Sequence, residues 1–186
     1  MAVNHSVMLE VADGLQILSA SSPDEQGFVA AAEYFGYEFA ERDAKRGLVK
    51  LKDRFSRTTH TVEILQAFPY ESSRKRMSII ARLPPALLEA CGGGCDVRLY
   101  CKGADNVLLS LLKPGTRGAS TEELQRLNFE LQEMANIALR TLVWGMREVH
   151  DYDAWRARYE AATDTPDEVA KFKKGQPNQI TALQAD

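Results

Sequence analysis

The chain reads as an α+β domain, a mostly antiparallel, twisted sheet with helices packed against it. Three observations predict this class. Short β-rich runs crowd together between Tyr37 and Arg82, too close for the dozen or more residues that a parallel crossover needs. Helical periodicity stands on either side of that block instead of alternating with it. At 186 residues, with 45% hydrophobic and 26% charged content, the chain has the size and composition of one soluble domain that needs no disulfide staples.

The elements follow in order. Residues 2–20 alternate weakly and predict a hairpin turning at Asp13-Gly14. Ser22 then offers a helix N-cap, Pro23 fits the first helical position, and Glu25 stands three after the cap, as in a capping box. Phe28, Ala31, Ala32 and Phe35 fall at helical spacing as one buried stripe, and Gly36 supplies the stop. The runs YEFAER, GLVKLKD, HTVEILQAF and RMSIIAR are strand-like, β-branched and aromatic, with charged or glycine turns between them. Pro84-Pro85 ends that series, and the loop through Cys91-Gly92-Gly93-Gly94-Cys95 is flexible by composition.

DVRLYCK is another strand, with Val97, Leu99 and Cys101 on one face. ADNVLLSLL is a short helix closed by Lys113-Pro114-Gly115. A longer helix begins at Ser120 or Thr121 and carries Leu124, Leu127, Leu131, Met134 and Ala138 inward. RTLVWGMREV predicts a strand, and DYDAWRARYEAA a helix with Trp155 and Tyr159 one turn apart. The polar tail after residue 162 has no terminator and reads as a connection to something beyond the chain. No internal repeat or low-complexity block interrupts the pattern.

Several function classes are disfavoured. A net charge of −3 argues against general nucleic-acid binding, and no run approaches the about 18 apolar residues of a membrane span. No basic-then-apolar signal segment opens the chain, so a cytosolic setting and reduced thiols are expected for Cys91, Cys95 and Cys101. Cys91 and Cys95 could form half a metal site, but His5, His60 and His150 do not stand at ligand spacing from them or from each other. There is no phosphate loop, dinucleotide fingerprint, nucleophile elbow or metalloprotease helix. The scattered histidines also speak against a nucleophile–base pair. Nothing in the sequence forms a self-contained catalytic site.

What remains is four polar features, each beside an apolar element. SPDE opens the first helix, and the YESSRKRMS stretch opens a strand. KGAD closes another strand, and Arg140 in ALRTLVWGM sits at a helix-to-strand junction. The cations Arg74-Lys75-Arg76, with Tyr70 upstream, read either as a solvated face or as a place for something aromatic and anionic. Polar groups at element ends tend to converge at one edge of a sheet.

In this order the four features resemble the nucleotide-binding domain of P-type ATPases of the phospholipid-flippase subfamily. The matching residues are Ser22-Pro23-Asp24-Glu25, Tyr70 to Ser78, Lys102-Gly103-Ala104-Asp105 and Leu139-Arg140-Thr141-Leu142. AVNHSV resembles the family's lead-in and YDAWRARYEAA its closing helix, so the likeness runs over residues 2–162.

The resemblance implies that the chain binds ATP. Tyr70, where the family usually has Phe, would stack on adenine; Phe68 stands two residues too early and is the fallback. Glu25 would accept from the adenine amino group. Lys75 and Lys102 would lie against the ring or phosphates, with Gly103 letting the backbone approach the ligand. Arg140 would hold the phosphate end or the ribose. It also implies a domain over 1–162, with 163–186 leading toward a hinge. The opening Met and unfinished tail are expected of a piece excised from a longer chain. That parent would be a membrane ATPase with this domain on the cytosolic face. Its partners would be the parent's phosphorylation and membrane domains and an accessory subunit, with Mg2+ coordinated mainly outside this domain.

The chain alone would hydrolyse nothing. The interval from Met77 to Lys102 looks like an insertion at the sheet's far edge. Two other readings stay open. One is a non-catalytic interaction module whose basic strand end recognises a phosphorylated or acidic partner. The other is a single-strand nucleic-acid binder, for which only Tyr70 and Phe68 offer stacking rings near the cations.

Overall fold

The computed structural model describes residues 1–12, 15–20, 22–116 and 118–185. They form two compact units, Met1–Glu148 and Val149–Asp186.

The first unit opens with an antiparallel hairpin of β1 (Met8–Ala12) and β2 (Leu15–Ser19). The turn expected at Asp13-Gly14 lies outside the described residues. Helix α1 (Pro23–Tyr34) leads into β3 (Tyr37–Asp43), β4 (Leu48–Asp53), β5 (Thr58–Glu71) and β6 (Arg76–Arg82). Then come α2 (Pro85–Ala90), β7 (Val97–Gly103), α3 (Asp105–Leu111), α4 (Thr121–Asn136) and β8 (Val143–Glu148). Strands β3 to β8 form one six-stranded sheet in sequence order, antiparallel at every pairing. The α+β class therefore holds. The second unit contains α5 (Tyr152–Thr163), α6 (Pro166–Lys173) and α7 (Gln179–Ala185), so the polar tail is largely helical.

Helix α1 starts where expected, with the Ser22 hydroxyl accepting from the Asp24 amide. Its buried face differs from the expected stripe. Glu25, Val29 and Ala32 are buried, whereas Phe28 is half-buried and Phe35 exposed, a phase shift of one residue. The cause is Glu25, whose carboxylate turns inward to partners on other elements and does not close a capping box. Gly36 ends the helix at φ +99°, and a Cβ there would run into the Phe55 ring.

One face of the sheet packs Phe39, Val49, Val62, Ile79 and Ala81 against Val29 of α1 and against Val3 and Val7 of the leading segment. On β7, Cys101 joins a second cluster with Leu108 and Val143, which Leu127 and Leu131 of α4 partly cover. The inward stripe expected of α4 reaches no further, because no residue of that helix is buried.

The 77–102 interval is not at an edge. It is β6, α2, the glycine loop and β7, and β6 and β7 are inner strands paired from Arg76↔Gly103 to Arg82↔Val97. The glycine loop is also held. Buried Arg98 donates to the carbonyls of Gly93 and Cys95, and Glu148 accepts from the Cys95 amide at 3.2 Å.

Candidate functional site

One end of the sheet is defined by the register row Glu71, Arg76, Gly103 and Val143 on β5 to β8. A cavity of about 510 Å³ opens there between the sheet and the first turn of α1. It lies at the end of the strands, not along a sheet edge. Glu25, Tyr70, Lys102 and Arg140 all line it, so four of the five sequence-derived residues meet in one place.

Tyr70 reaches the cavity because β5 is irregular. Between Phe68↔Ser78 and Glu71↔Arg76 the register shifts, placing Pro69 and Tyr70 opposite Met77 alone. A bulge suits Pro69, which has no amide to give the ladder. It also parts two side chains that a regular strand would put on one face. Tyr70 is 60% exposed at the cavity, while Phe68 is buried under the Arg74 guanidinium, 5.4 Å from its ring centroid.

Lys102 is 5% exposed, with Nζ 2.6 Å from Glu25 Oε1 and 5.7 and 5.4 Å from the ring centroids of Phe28 and Trp144. Those two rings meet edge to face at 5.3 Å. Glu25 Oε2 accepts from the Ser6 amide at 2.9 Å and from the Ser6 hydroxyl. Burial alone raises the Glu25 carboxyl. The bonds from Lys102 and Ser6 outweigh it and hold the group below the usual carboxylate range. Glu25 therefore stays ionised, and its Oε1 keeps acceptor capacity toward the cavity.

Arg140, on the loop after α4, is 86% exposed and places Nη2 2.8 Å from Asp24 Oδ2. Gly103 lines the cavity, but its lack of a side chain serves packing first. A Cβ there would lie 2.5 Å from the Lys75 carbonyl oxygen, 2.7 Å from Arg76 Cβ and 2.8 Å from Leu108 Cδ2.

Lys75 is the residue left outside. It occupies the β5–β6 turn at φ +51°, its side chain is exposed, and it does not line the cavity. Its carbonyl accepts from the Ala104 amide at 3.1 Å and so ties the turn to the β7–α3 junction. Arg74 and Arg76, expected as surface charges, are half-buried, and Arg74 donates to Ser78 Oγ at 3.0 Å.

Residues that sequence reasoning did not single out complete the site. Ser6, Asp24, Phe28, Met77 and Leu142 line the cavity, and Trp144 stands behind Lys102. Their local signals were membership of the matched stretches: Ser6 in the AVNHSV lead-in, Asp24 in SPDE, Met77 in RKRMS and Leu142 in LRTL, with Phe28 on the apolar stripe expected of α1.

The family described as "P-type ATPase, cytoplasmic domain N" matches residues 2–179. The chain belongs to this family. It is 34% identical over 165 residues to phospholipid-transporting ATPase IC of Xenopus tropicalis, which covers 88% of this chain and 12% of the relative. It is 33% identical over 174 residues to phospholipid-transporting ATPase tat-1 of Caenorhabditis elegans, covering 92% and 14%. It is 33% identical over 169 residues to phospholipid-transporting ATPase DNF1 of Saccharomyces cerevisiae, covering 87% and 10%. The N-domain chain thus corresponds to a small part of each relative. Among the described residues no helix is long and apolar enough to cross a membrane, and no three His, Cys, Asp or Glu side chains stand together as metal ligands.

Proposed function

We propose that the cavity binds ATP and that this N domain serves a phospholipid-translocating P-type ATPase. The observation that carries the reading is the meeting of an aromatic face, an inward carboxylate and two cations at one sheet end. The volume is in the range of small-molecule sites, about 300–1,000 Å³.

The fit to a nucleotide follows from the donor set. Tyr70 offers a ring face for adenine, and its hydroxyl needs a partner of its own. Glu25 accepts from the exocyclic amine, a preference for adenine over a base with a carbonyl there. Lys102 is fixed by Glu25 and two rings, so it supplies a charge in one position. Arg140 at the mouth offers a fork of donors to the ribose or the phosphate end. Lys75 would reach a ligand only by swinging in from its turn.

In the parent, the γ-phosphate would be presented to an aspartate on a separate phosphorylation domain. This chain binds and orients ATP, and on its own it hydrolyses nothing. Mg2+ is held mainly by groups outside it. The nucleotide-binding domain proper covers 1–162, and 163–186 leads toward the hinge. The phosphorylation and membrane domains, with or without an accessory subunit, are its partners at the cytosolic face of a membrane. ATP here drives movement of a phospholipid between leaflets.

An amide NMR titration with ATP, adenosine and inorganic tripolyphosphate tests this, repeated on Lys102→Ala and Tyr70→Ala. The expected result is one perturbed patch holding Glu25, Tyr70, Lys102 and Arg140 for ATP and adenosine alike, with the adenosine response lost in Tyr70→Ala. A response to tripolyphosphate alone, clustered at 74–76, overturns the reading in favour of a module for phosphorylated or acidic partners.

A further inference from the structure

Four charged residues line the cavity, and they cancel. Asp24 and Glu25, neighbours in the first turn of α1, face Arg140 and Lys102 respectively. The two pairs differ in kind. The inner one is buried, with side chains 11% and 6% exposed, and is braced by Ser6, Phe28 and Trp144. The outer pair is open, 36% and 86% exposed, with Nη2 and Oδ2 2.8 Å apart. An inner pair of that kind resists separation, whereas an exposed pair in water is worth little and parts readily. The anion that claims Arg140 is therefore Asp24, at the mouth, where the tail of an anchored nucleotide would arrive.

We propose that Asp24 is a specificity-determining residue that acts through Arg140. Its carboxylate stands in for phosphate on the guanidinium. An inorganic anion entering the cavity must displace one negative charge to gain another, and so gains little. A ligand with a flat base does not depend on that exchange, because stacking on Tyr70 and the bond to Glu25 hold it first. Asp24 thus works against unwanted ligands, by making the site electrically neutral toward bare polyphosphates. Its place is set by the fold. Ser22 caps α1 by accepting from the Asp24 amide at 3.3 Å, which fixes the backbone from which the carboxylate reaches Arg140. The inference rests on the nucleotide reading for the base, and on the Asp24–Arg140 pair alone for the anion.

The test uses the full chain at low salt, with affinities for ATP, adenosine and tripolyphosphate measured on the wild type, Asp24→Asn, Asp24→Glu, Arg140→Ala and the Asn/Ala double variant. Releasing one unit charge from about 4 Å in water corresponds to roughly fivefold in affinity. Asp24→Asn should therefore bind tripolyphosphate about fivefold more tightly, ATP by a clearly smaller factor and adenosine unchanged, with Asp24→Glu close to wild type. In the Arg140→Ala background the gain should vanish. Equal or weaker anion binding in Asp24→Asn overturns the proposal. So does an equal gain for ATP and tripolyphosphate, which would leave the choice between them untouched, or a matching gain for adenosine, which would indicate a general change of the cavity. A gain that survives without Arg140 also overturns it, because the effect would then be direct repulsion. If the wild type binds neither ATP nor adenosine, the nucleotide reading falls, and the tripolyphosphate arm still decides what Asp24 does.

Discussion

His5 shows how a single residue of the lead-in is put to use. It is 1% exposed, and the Val7 amide donates to its Nδ1 at 3.1 Å, so the ring proton sits on Nε2, which donates to the Ala2 carbonyl at 2.9 Å. Arg42 donates to the His5 carbonyl at 2.8 Å. These bonds fix the segment that carries Ser6 to Glu25, so the site's inner carboxylate depends on an imidazole kept neutral. Burial first, and the Arg42 charge second, lower the His5 pKa from 6.5 to about 4. Between those values the unfolded chain binds the proton and the folded chain does not. Stability therefore falls as pH drops from 6.5 toward 4 and levels off below, by on the order of 3 kcal/mol. Glu25, held below the ordinary carboxylate range, adds its own loss only further down. Urea midpoints at pH 7.5, 6 and 4.5 check this. The wild type should lose stability across the window and His5→Asn should flatten the slope, whereas a flat wild-type profile refutes the buried neutral imidazole.

At the scale of elements, what was legible in the sequence is what local pattern decides. Strand β4 alternates buried and exposed residues, and its partners are joined by short turns, so the strands and their antiparallel sense were readable. Tyr70, Glu25, Lys102 and Arg140 were readable for the same reason, since each sits in a short motif at an element end. The phase of α1 was not. It is set by an ion pair to a strand 77 residues downstream, which makes a glutamate part of the buried face. The β5 bulge, the backbone role of Lys75 and the partnership of Asp24 with Arg140 likewise exist only once strands are in register. Helix α4 misleads in the opposite direction. Its apolar spacing suggests a core helix, yet only Leu127 and Leu131 touch the cluster beneath, and Met134 is 41% exposed. The two helices should therefore answer differently to truncation. Val29→Ala, at a site 2% exposed, should cost about 2 kcal/mol in urea unfolding, and Met134→Ala should stay within about 0.5 kcal/mol. Equal costs would mean that α1 is not anchored by the face described.

The whole molecule joins two units with different reserves of core. In the first, a six-stranded sheet carries buried clusters on both faces; its strands pair in sequence order, through short turns from β3 to β6 and through longer connections carrying α2, α3 and α4 from β6 to β8. The second unit, Val149–Asp186, is near the about 40-residue size below which a chain struggles to hold a core alone. It compensates with a ladder of rings on α5, where Trp155 stacks on Tyr159 at 5.0 Å and Tyr152 at 6.0 Å. The Trp155 indole donates to the Leu183 carbonyl of α7 at 2.9 Å, which closes the three helices into one body. Each unit holds one of the two tryptophans, Trp144 on β8 and Trp155 on α5, so each can be followed separately. In Trp144→Phe, fluorescence reports the helical unit; in Trp155→Phe, it reports the sheet. The smaller buried area of the helical unit should give it the lower urea midpoint and the shallower slope, since that slope scales with the surface exposed. Coincident transitions in the two variants would mean that the chain unfolds as a single cooperative body, with the stability of the helical unit drawn from the sheet.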